Sequence, residues 1–296
     1  MNRTLLTLIP LLSCLLSAAQ VPVDKSPYRI SFISPEYFGP YAFPVPELLE
    51  GDISHTVKFE LAGDSAIGSL GGSSNKDRTY AATFKACFPL WSERAALSVW
   101  GEMHEWYTDT QPVRSARRVS DVYPLCGDCA GNVYFSLDLL LLKEGIKHPS
   151  IALRAATQTA TGDKYEVARH YDAPGYFFDL SAGKSIKLGN GGSLRGSVTA
   201  GFLCWQIDRG KQNDAFMLGA KASYSDRMVS VSFQYGQYNG LETKKDPAAG
   251  DCPKAFQVES YLHAGRLSPF VKWQKGIHDW PFSLVRAGVS IDIGHL

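Results

Sequence analysis

Between Ser193 and Tyr238 three runs of alternating residues follow one another with almost nothing between them. In the first, Leu194, Gly196, Val198, Ala200, Phe202 and Cys204 share one parity, and Arg195, Ser197, Thr199, Gly201, Leu203 and Trp205 share the other. The second sets Phe216, Leu218, Ala220, Ala222 and Tyr224 against Met217, Gly219, Lys221 and Ser223. The third sets Val229, Val231, Phe233 and Tyr235 against Ser230, Ser232, Gln234 and Gly236. Successive side chains of a strand point to opposite faces, so this period specifies strands with one apolar and one polar face. Strands of globular proteins average about five or six residues, whereas a tilted strand crossing a bilayer needs about nine to eleven. These runs match the second figure.

Composition narrows the choice. Lys+Arg 30 against Asp+Glu 29 leaves no charge excess to attract nucleic acid or a strongly acidic partner. At 296 residues the chain suits one barrel or two small soluble domains, and no Gly/Ser- or Pro-rich linker divides its middle. Residues 1–19 have the form of a secretory signal: Arg3, the apolar stretch Leu5–Leu16, and Ser17 and Ala19 before a cleavage that leaves Gln20 first. Leu11-Leu12-Ser13-Cys14 also resembles a lipoprotein signal, and both routes export the chain. Beyond the signal no run approaches the length of a transmembrane helix; Leu137–Leu142 comes nearest and Asp138 interrupts it. Membrane residence therefore requires a closed barrel, because only helices and closed sheets satisfy the backbone in lipid.

Residues 20–51 hold Pro22, Pro27, Pro35, Pro40, Pro44 and Pro46 among Tyr28, Phe32, Tyr37, Phe38, Tyr41 and Phe43. Prolines at this density exclude regular ladders, and aromatics at this density oppose plain disorder. The expectation is an irregular ordered segment packed in the barrel lumen or at its periplasmic mouth. Residues 52–296 form the barrel, with twelve strand candidates: Ile53–Gly63, Thr79–Phe88, Ala95–Tyr107, Val133–Lys143, Ser150–Ala160, Gly175–Lys187, the three runs above, Ala255–Gly265, Phe270–Lys275 and Ser283–Gly294. The connections alternate in length. Asp64–Arg78, Thr108–Asn132, Thr161–Pro174 and Asn239–Lys254 are long, Asp208–Asn213 and Gly276–Pro281 intermediate, and Pro89–Arg94, Glu144–Pro149, Leu188–Gly192, Ser225–Arg227 and Arg266–Ser268 short. Long extracellular loops, short periplasmic turns and an even strand number are properties of bacterial barrels.

With its signal before Gln20, its twelve alternating segments and its closing strand Ser283–Gly294, the chain resembles the small porin-like outer-membrane β-barrel proteins of Gram-negative bacteria. The resemblance is one of architecture. It implies an all-β closed antiparallel barrel in the outer membrane, with outer-membrane lipid, the barrel assembly machinery and small solutes as partners. The chain departs from it at His295-Leu296, where many such barrels end on an aromatic.

Inward parity collects Lys58, Lys85, Arg154, Arg195, Lys221, Lys272 and Arg286 together with Glu60, Glu102, Asp138, Asp179, Glu259 and Asp292. A selective pore shows one sign in excess. Here the signs balance, and the expectation is a network of ion pairs across the lumen. Cys126-Gly127-Asp128-Cys129 lacks the context of a redox motif, and only Cys252 is another loop thiol. A local Cys126–Cys129 disulfide is expected there, with a bridge from one of the two to Cys252 as the variant, and no metal. Leu188-Gly189-Asn190-Gly191-Gly192 lacks the Lys-Ser/Thr ending of a phosphate-binding loop, and no cofactor is expected.

These observations favour passive transport of small solutes or a structural or accessory role at the cell surface. One alternative is an outer-membrane hydrolase on the extracellular loops, using His170 with Asp172 or His278 with Asp279; His148-Pro149-Ser150 falls in a periplasmic turn. The other is a secreted soluble β-sandwich. Heat-modifiable migration on SDS gels and a need for detergent on extraction are the expected results. Detergent-free extraction with unchanged migration on boiling would mean a sandwich.

Overall fold

A strand with one polar and one apolar row satisfies both only if the sheet closes with the polar row inside and the apolar row in hydrocarbon. The computed structural model describes residues 38–42, 51, 53–70, 76–90, 94–170, 174–189, 191–207, 211–241 and 250–294. The signal region and most of residues 20–51 lie outside these. The strands are β1 Val57–Ser69, β2 Lys76–Pro89, β3 Ala95–Asp109, β4 Cys126–Cys129, β5 Val133–Leu142, β6 Ser150–Gln158, β7 Gly175–Lys187, β8 Ser193–Ile207, β9 Lys211–Ser225, β10 Val229–Gly240, β11 Lys254–Leu262, β12 Leu267–His278 and β13 Phe282–Gly294. A short helix, α1 (Gln111–Ala116), follows β3.

Every pairing between neighbours is antiparallel, and β13 pairs with β1 along nearly its whole length, from Val57↔Gly294 to Gly68↔Phe282. With β2 joined to both β1 and β3, the sheet closes into a ring of twelve staves. The thirteenth strand, β4, is not a separate stave: it pairs with the same edge of β3 that β5 uses lower down. A sandwich of two sheets is thereby excluded. On the outer wall Leu61, Val198, Phe216 and Val271 are each between 53% and 58% exposed. Such side chains recur around the ring. A contiguous apolar band of this kind is stable against lipid and not against water.

All twelve strand candidates correspond to staves, but several run further than alternation alone marks. β1 continues to Ser69 and β2 begins at Lys76, so the first connection is only 70–75. The β8–β9 and β12–β13 connections are 208–210 and 279–281. Strict alternation of loop lengths therefore does not hold. Only 110–132, 159–174 and 241–253 are long, and all three lie at one end, here the loop rim; the opposite end is the turn rim.

One irregularity decides which side chains of β3 reach the lumen. Ala82 pairs with His104 but Thr83 with Glu102, so Met103 is an extra residue in β3. Opposite it, residues 130–132 separate β4 from β5. Glycines permit this close passage: a Cβ on Gly131 would stand 2.4 Å from that of Glu102, and one on Gly101 2.3 Å from the Asn132 carbonyl oxygen. A bulge reverses parity. Below it Ser98, Trp100 and Glu102 face the lumen, and above it Glu105, Tyr107 and Asp109 do.

At the turn rim Asp226 closes the β9–β10 hairpin, accepting the Met228 and Val229 N–H groups at 2.7 and 2.8 Å and the Tyr224 hydroxyl at 3.0 Å. These donors, Val229 first, hold its carboxyl below the usual range by favouring the charged form. A depressed folded-state pKa contributes stability above the unfolded value of about 4, lost as pH falls through the folded value. The unfolding midpoint of the wild type should therefore exceed that of Asp226→Ala most at neutral pH, and the gap should narrow in acid. A pH series of midpoints measures it; a gap independent of pH would count against the turn.

Candidate functional site

The lumen has two unlike halves. Toward the turn rim lies a polar cavity of ≈ 600 Å³, reaching Ser193, Ser225 and His263 near the strand ends. Its wall carries Lys58, Lys85, Arg154, Arg195, Lys221, Lys272 and Arg286 against Glu60, Glu102, Asp138 and Glu259. The three arginines are each paired just off the wall. Arg154 Nε donates to Asp179 at 2.8 Å, Arg195 to Glu144 at 2.8 Å, and Arg286 doubly to Asp64 at 2.8 Å. With those three carboxylates included, seven basic groups face seven acidic ones.

Toward the loop rim the lumen is filled. Phe38 and Ala42 pack with Tyr134, Phe177, Leu203, Trp205, Met217 and Tyr238, and with Ala168 from the 159–174 connection. Tyr41 packs on the other side with Ala66, Ala81, Trp280, Phe282 and Leu284. Polar contacts fix this short segment of chain. The Tyr41 hydroxyl donates to Asp64 at 2.8 Å, Trp280 Nε1 to the Pro40 carbonyl at 3.2 Å, and the Gly39 N–H to the Ala168 carbonyl at 3.0 Å. Lower down, the Gly51 N–H donates to Ser181 Oγ at 2.8 Å.

Above this plug sits a buried charge cluster. Arg117 follows α1, whose Pro112 lies in the first turn, where a missing N–H is harmless. Arg169 follows a single 3₁₀ turn, Tyr165–Val167, flanked by Lys164 and Ala168, both at positive φ. That conformation costs about 1–2 kcal/mol per non-glycine residue, and the Gly39–Ala168 bond helps hold it. Arg169 donates to Glu105 Oε1 at 2.6 Å, Asp77 Oδ2 at 2.7 Å and Thr79 Oγ1 at 2.6 Å, and lies 4.6 Å from the centre of the Tyr107 ring. Arg117 donates to Asp109 at 2.7 Å, to the same Asp77 oxygen at 2.6 Å and to the Phe38 carbonyl at 3.2 Å. Both arginines, Asp77 and Glu105 are fully buried. Burial opposes the charge on Arg169, but the carboxylates of Asp77, Glu105 and Asp109 outweigh it and hold the guanidinium ionised. The cluster ties together the plug, the 110–132 and 159–174 connections and two staves, β2 and β3.

The lumen charges named from parity fall on the inner wall, but their pairing differs from expectation. Arg154 with Asp179 and Arg286 with Asp64 are partners on adjacent staves in register, not across the lumen. Inward side chains of neighbouring strands stand about 4.5–5.5 Å apart at Cβ, close enough for such pairs to form. Asp292 lies at the turn rim and accepts from the Thr56 hydroxyl at 2.9 Å. Tyr261 donates to Glu259 at 3.2 Å and to Glu60 at 3.4 Å, and Asp138 accepts from Ser98 and Ser136.

The Cys126–Cys129 disulfide is not formed; both are free thiols. Three apart on an extended strand, they point to opposite faces, Cys126 exposed and Cys129 buried. Cys129 instead donates to Glu105 Oε1 at 3.6 Å. Burial and then the Glu105 charge push its thiol well above the usual range. Of the His–Asp pairs, Asp172 lies outside the described residues and His170 is fully buried. His278 and Asp279 stand 3.1 Å apart at the loop rim, with His278 Nδ1 also 3.0 Å from the Cys252 carbonyl oxygen.

Parity missed Glu105, Asp77, Asp109 and Cys129. The bulge at Met103 hid the first, and the early start of β2 hid Asp77. The loop Thr161–Pro174 stands out in the sequence as charged and aromatic, read either as folding into the barrel mouth or, preferred, as a solvated surface loop; the structure buries its Arg169 and His170.

No protein-family model matches the chain, and no curated protein matches it in sequence. Solved structures do match in fold. The COG4313 outer membrane channel from Pseudomonas putida F1 superposes with a TM-score of 0.54 at 10% identity, over 83% of this chain and 100% of that one. The NanC porin superposes with a TM-score of 0.51 at 10% identity, over 79% of this chain and 98% of that one. The fold is thus that of porin-like outer-membrane β-barrels.

Removing one partner from a buried ion cluster costs about 3–5 kcal/mol, because the other charges stay buried. Arg169→Met should lower the unfolding free energy by about that amount and open the 159–174 connection to protease while the barrel stays intact. Unchanged protease resistance and midpoint would show that the cluster does not hold the loop.

Proposed function

We propose that the chain is an outer-membrane channel for small polar solutes, closed at its loop rim by its own N-terminal segment. The observation that carries this reading is the polar cavity of ≈ 600 Å³ toward the turn rim of a closed barrel whose loop-rim half holds Phe38 and Ala42. An export signal over residues 1–19, with Gln20 first in the mature chain, brings the protein to the envelope. Twelve staves put both barrel ends at the turn rim, which then faces the periplasm, with the long connections outside. Outer-membrane lipid covers the apolar band and the barrel assembly machinery inserts it. The balanced wall, seven basic against seven acidic groups, has no single-sign track and suits neutral or zwitterionic solutes over simple anions or cations. Displacement of residues 38–42 is the gating step.

Planar-bilayer recording tests this. Wild type should show rare or small steps, and Arg169→Met frequent larger ones, with little preference between cations and anions. Silence from both folded proteins in every salt would overturn the transport reading and leave a structural role.

A further inference from the structure

Beside the charge cluster the bulge creates a second arrangement that transport does not use. Glu105 on β3 and Cys129 on β4 are register partners, and His170 reaches them from the 159–174 connection. One ligating atom from each lies within 4.8 Å of the others, the one such trio among the described residues. All three side chains are buried, Cys129 to 2% exposure and the others completely. Neither ring nitrogen of His170 has a hydrogen-bond partner, and neither has Glu105 Oε2. A fully buried imidazole with both nitrogens unsatisfied is aimed at an unsatisfied carboxylate oxygen and a thiol. Such groups need a partner.

The spacing fits an ion. His170 Nε2 stands 3.5 Å from Glu105 Oε2, and the ligating atoms of all three residues lie within 4.8 Å of one another. Zinc–ligand bonds of about 2.0–2.3 Å in a tetrahedron separate the ligand atoms by roughly 3.3–3.8 Å. Glu105 Oε1 is engaged by Arg169, which orients the carboxylate and leaves Oε2 for coordination, as outer partners of metal ligands do. Charge agrees as well. Among the described residues the three carboxylates of Asp77, Glu105 and Asp109 stand against two guanidinium groups, Arg117 and Arg169, an excess of one negative group in a buried cluster. A dication that displaces the thiol proton to solvent brings the sum to zero.

We propose that Glu105, Cys129 and His170 bind a zinc-class divalent ion that pins the 159–174 connection and β4 to β3. A sulfur, nitrogen and oxygen set selects such a borderline ion over magnesium or calcium. Three protein ligands leave a fourth position for water. The ion enters as the connections fold inward, since the finished site is closed to solvent.

The test uses the full chain folded in detergent with zinc or cobalt(II), followed by removal of free metal. Stoichiometric zinc is expected, and the cobalt form should show a thiolate-to-metal charge-transfer band in the near ultraviolet. Cys129→Ser should lose the band and His170→Gln the stoichiometric zinc, while Cys126→Ser, at the exposed position, keeps both. Only trace zinc in the folded wild type would overturn the proposal and leave His170 as a packing neighbour of Glu105. A thiolate band that survives Cys129→Ser or vanishes in Cys126→Ser would equally overturn it. Should the variants lose heat-modifiable migration, the wild-type cobalt spectrum decides the matter.

Discussion

Hydrogen bonding of the backbone in a solvent without water is the constraint on which the rest of this structure depends. In hydrocarbon an unpaired N–H or carbonyl has no substitute partner, so an open sheet edge is excluded. The pairing of β13 with β1 removes the last edge, and only then can the outward rows of Leu, Val and Phe face lipid. Closure also forces the inward rows together, so polar side chains of neighbouring staves meet at pairing distance. Arg154 with Asp179 and Arg286 with Asp64 are consequences of that register.

A ring of twelve is too wide to be filled by its own wall and too narrow to stay open once loops enter it. The chain resolves this differently at its two ends. At the loop rim Phe38, Tyr41 and Ala42 supply the missing apolar volume, and Arg117 and Arg169 fasten them over the buried carboxylates. At the turn rim Ile53 covers Ala96, Leu140 and Ala152, and a polar cavity remains beside it. Occlusion and vestibule are two parts of one packing solution.

The cluster also explains why backbone strain is tolerated where it is. Lys164 and Ala168 adopt left-handed conformations to turn Arg169 and His170 inward, and Arg169 recovers that cost through contacts on three side chains. Gly39 lies directly against this arginine; a Cβ there would come within 2.8 Å of the Arg169 carbonyl oxygen. Segments far apart in the chain are thus held by one guanidinium.

Alternation was enough to define the architecture, because a period of two and a length near that of a tilted membrane strand are local properties of residues such as those in 193–238. It also placed Lys58, Glu60, Lys85, Arg154, Lys221 and Glu259 on the lumen side. It did not foretell the ion-pair partners, since which stave neighbours which is a property of register. Nor could it place Glu105 and Cys129, because a single extra residue at Met103, opposite the break at 130–132, reverses the parity of everything above it. Side-chain periodicity is set by the chain itself and can be read along it. The bulge and the inward turn of Arg169 and His170 arise from contacts between distant residues, and tertiary structure alone decided them.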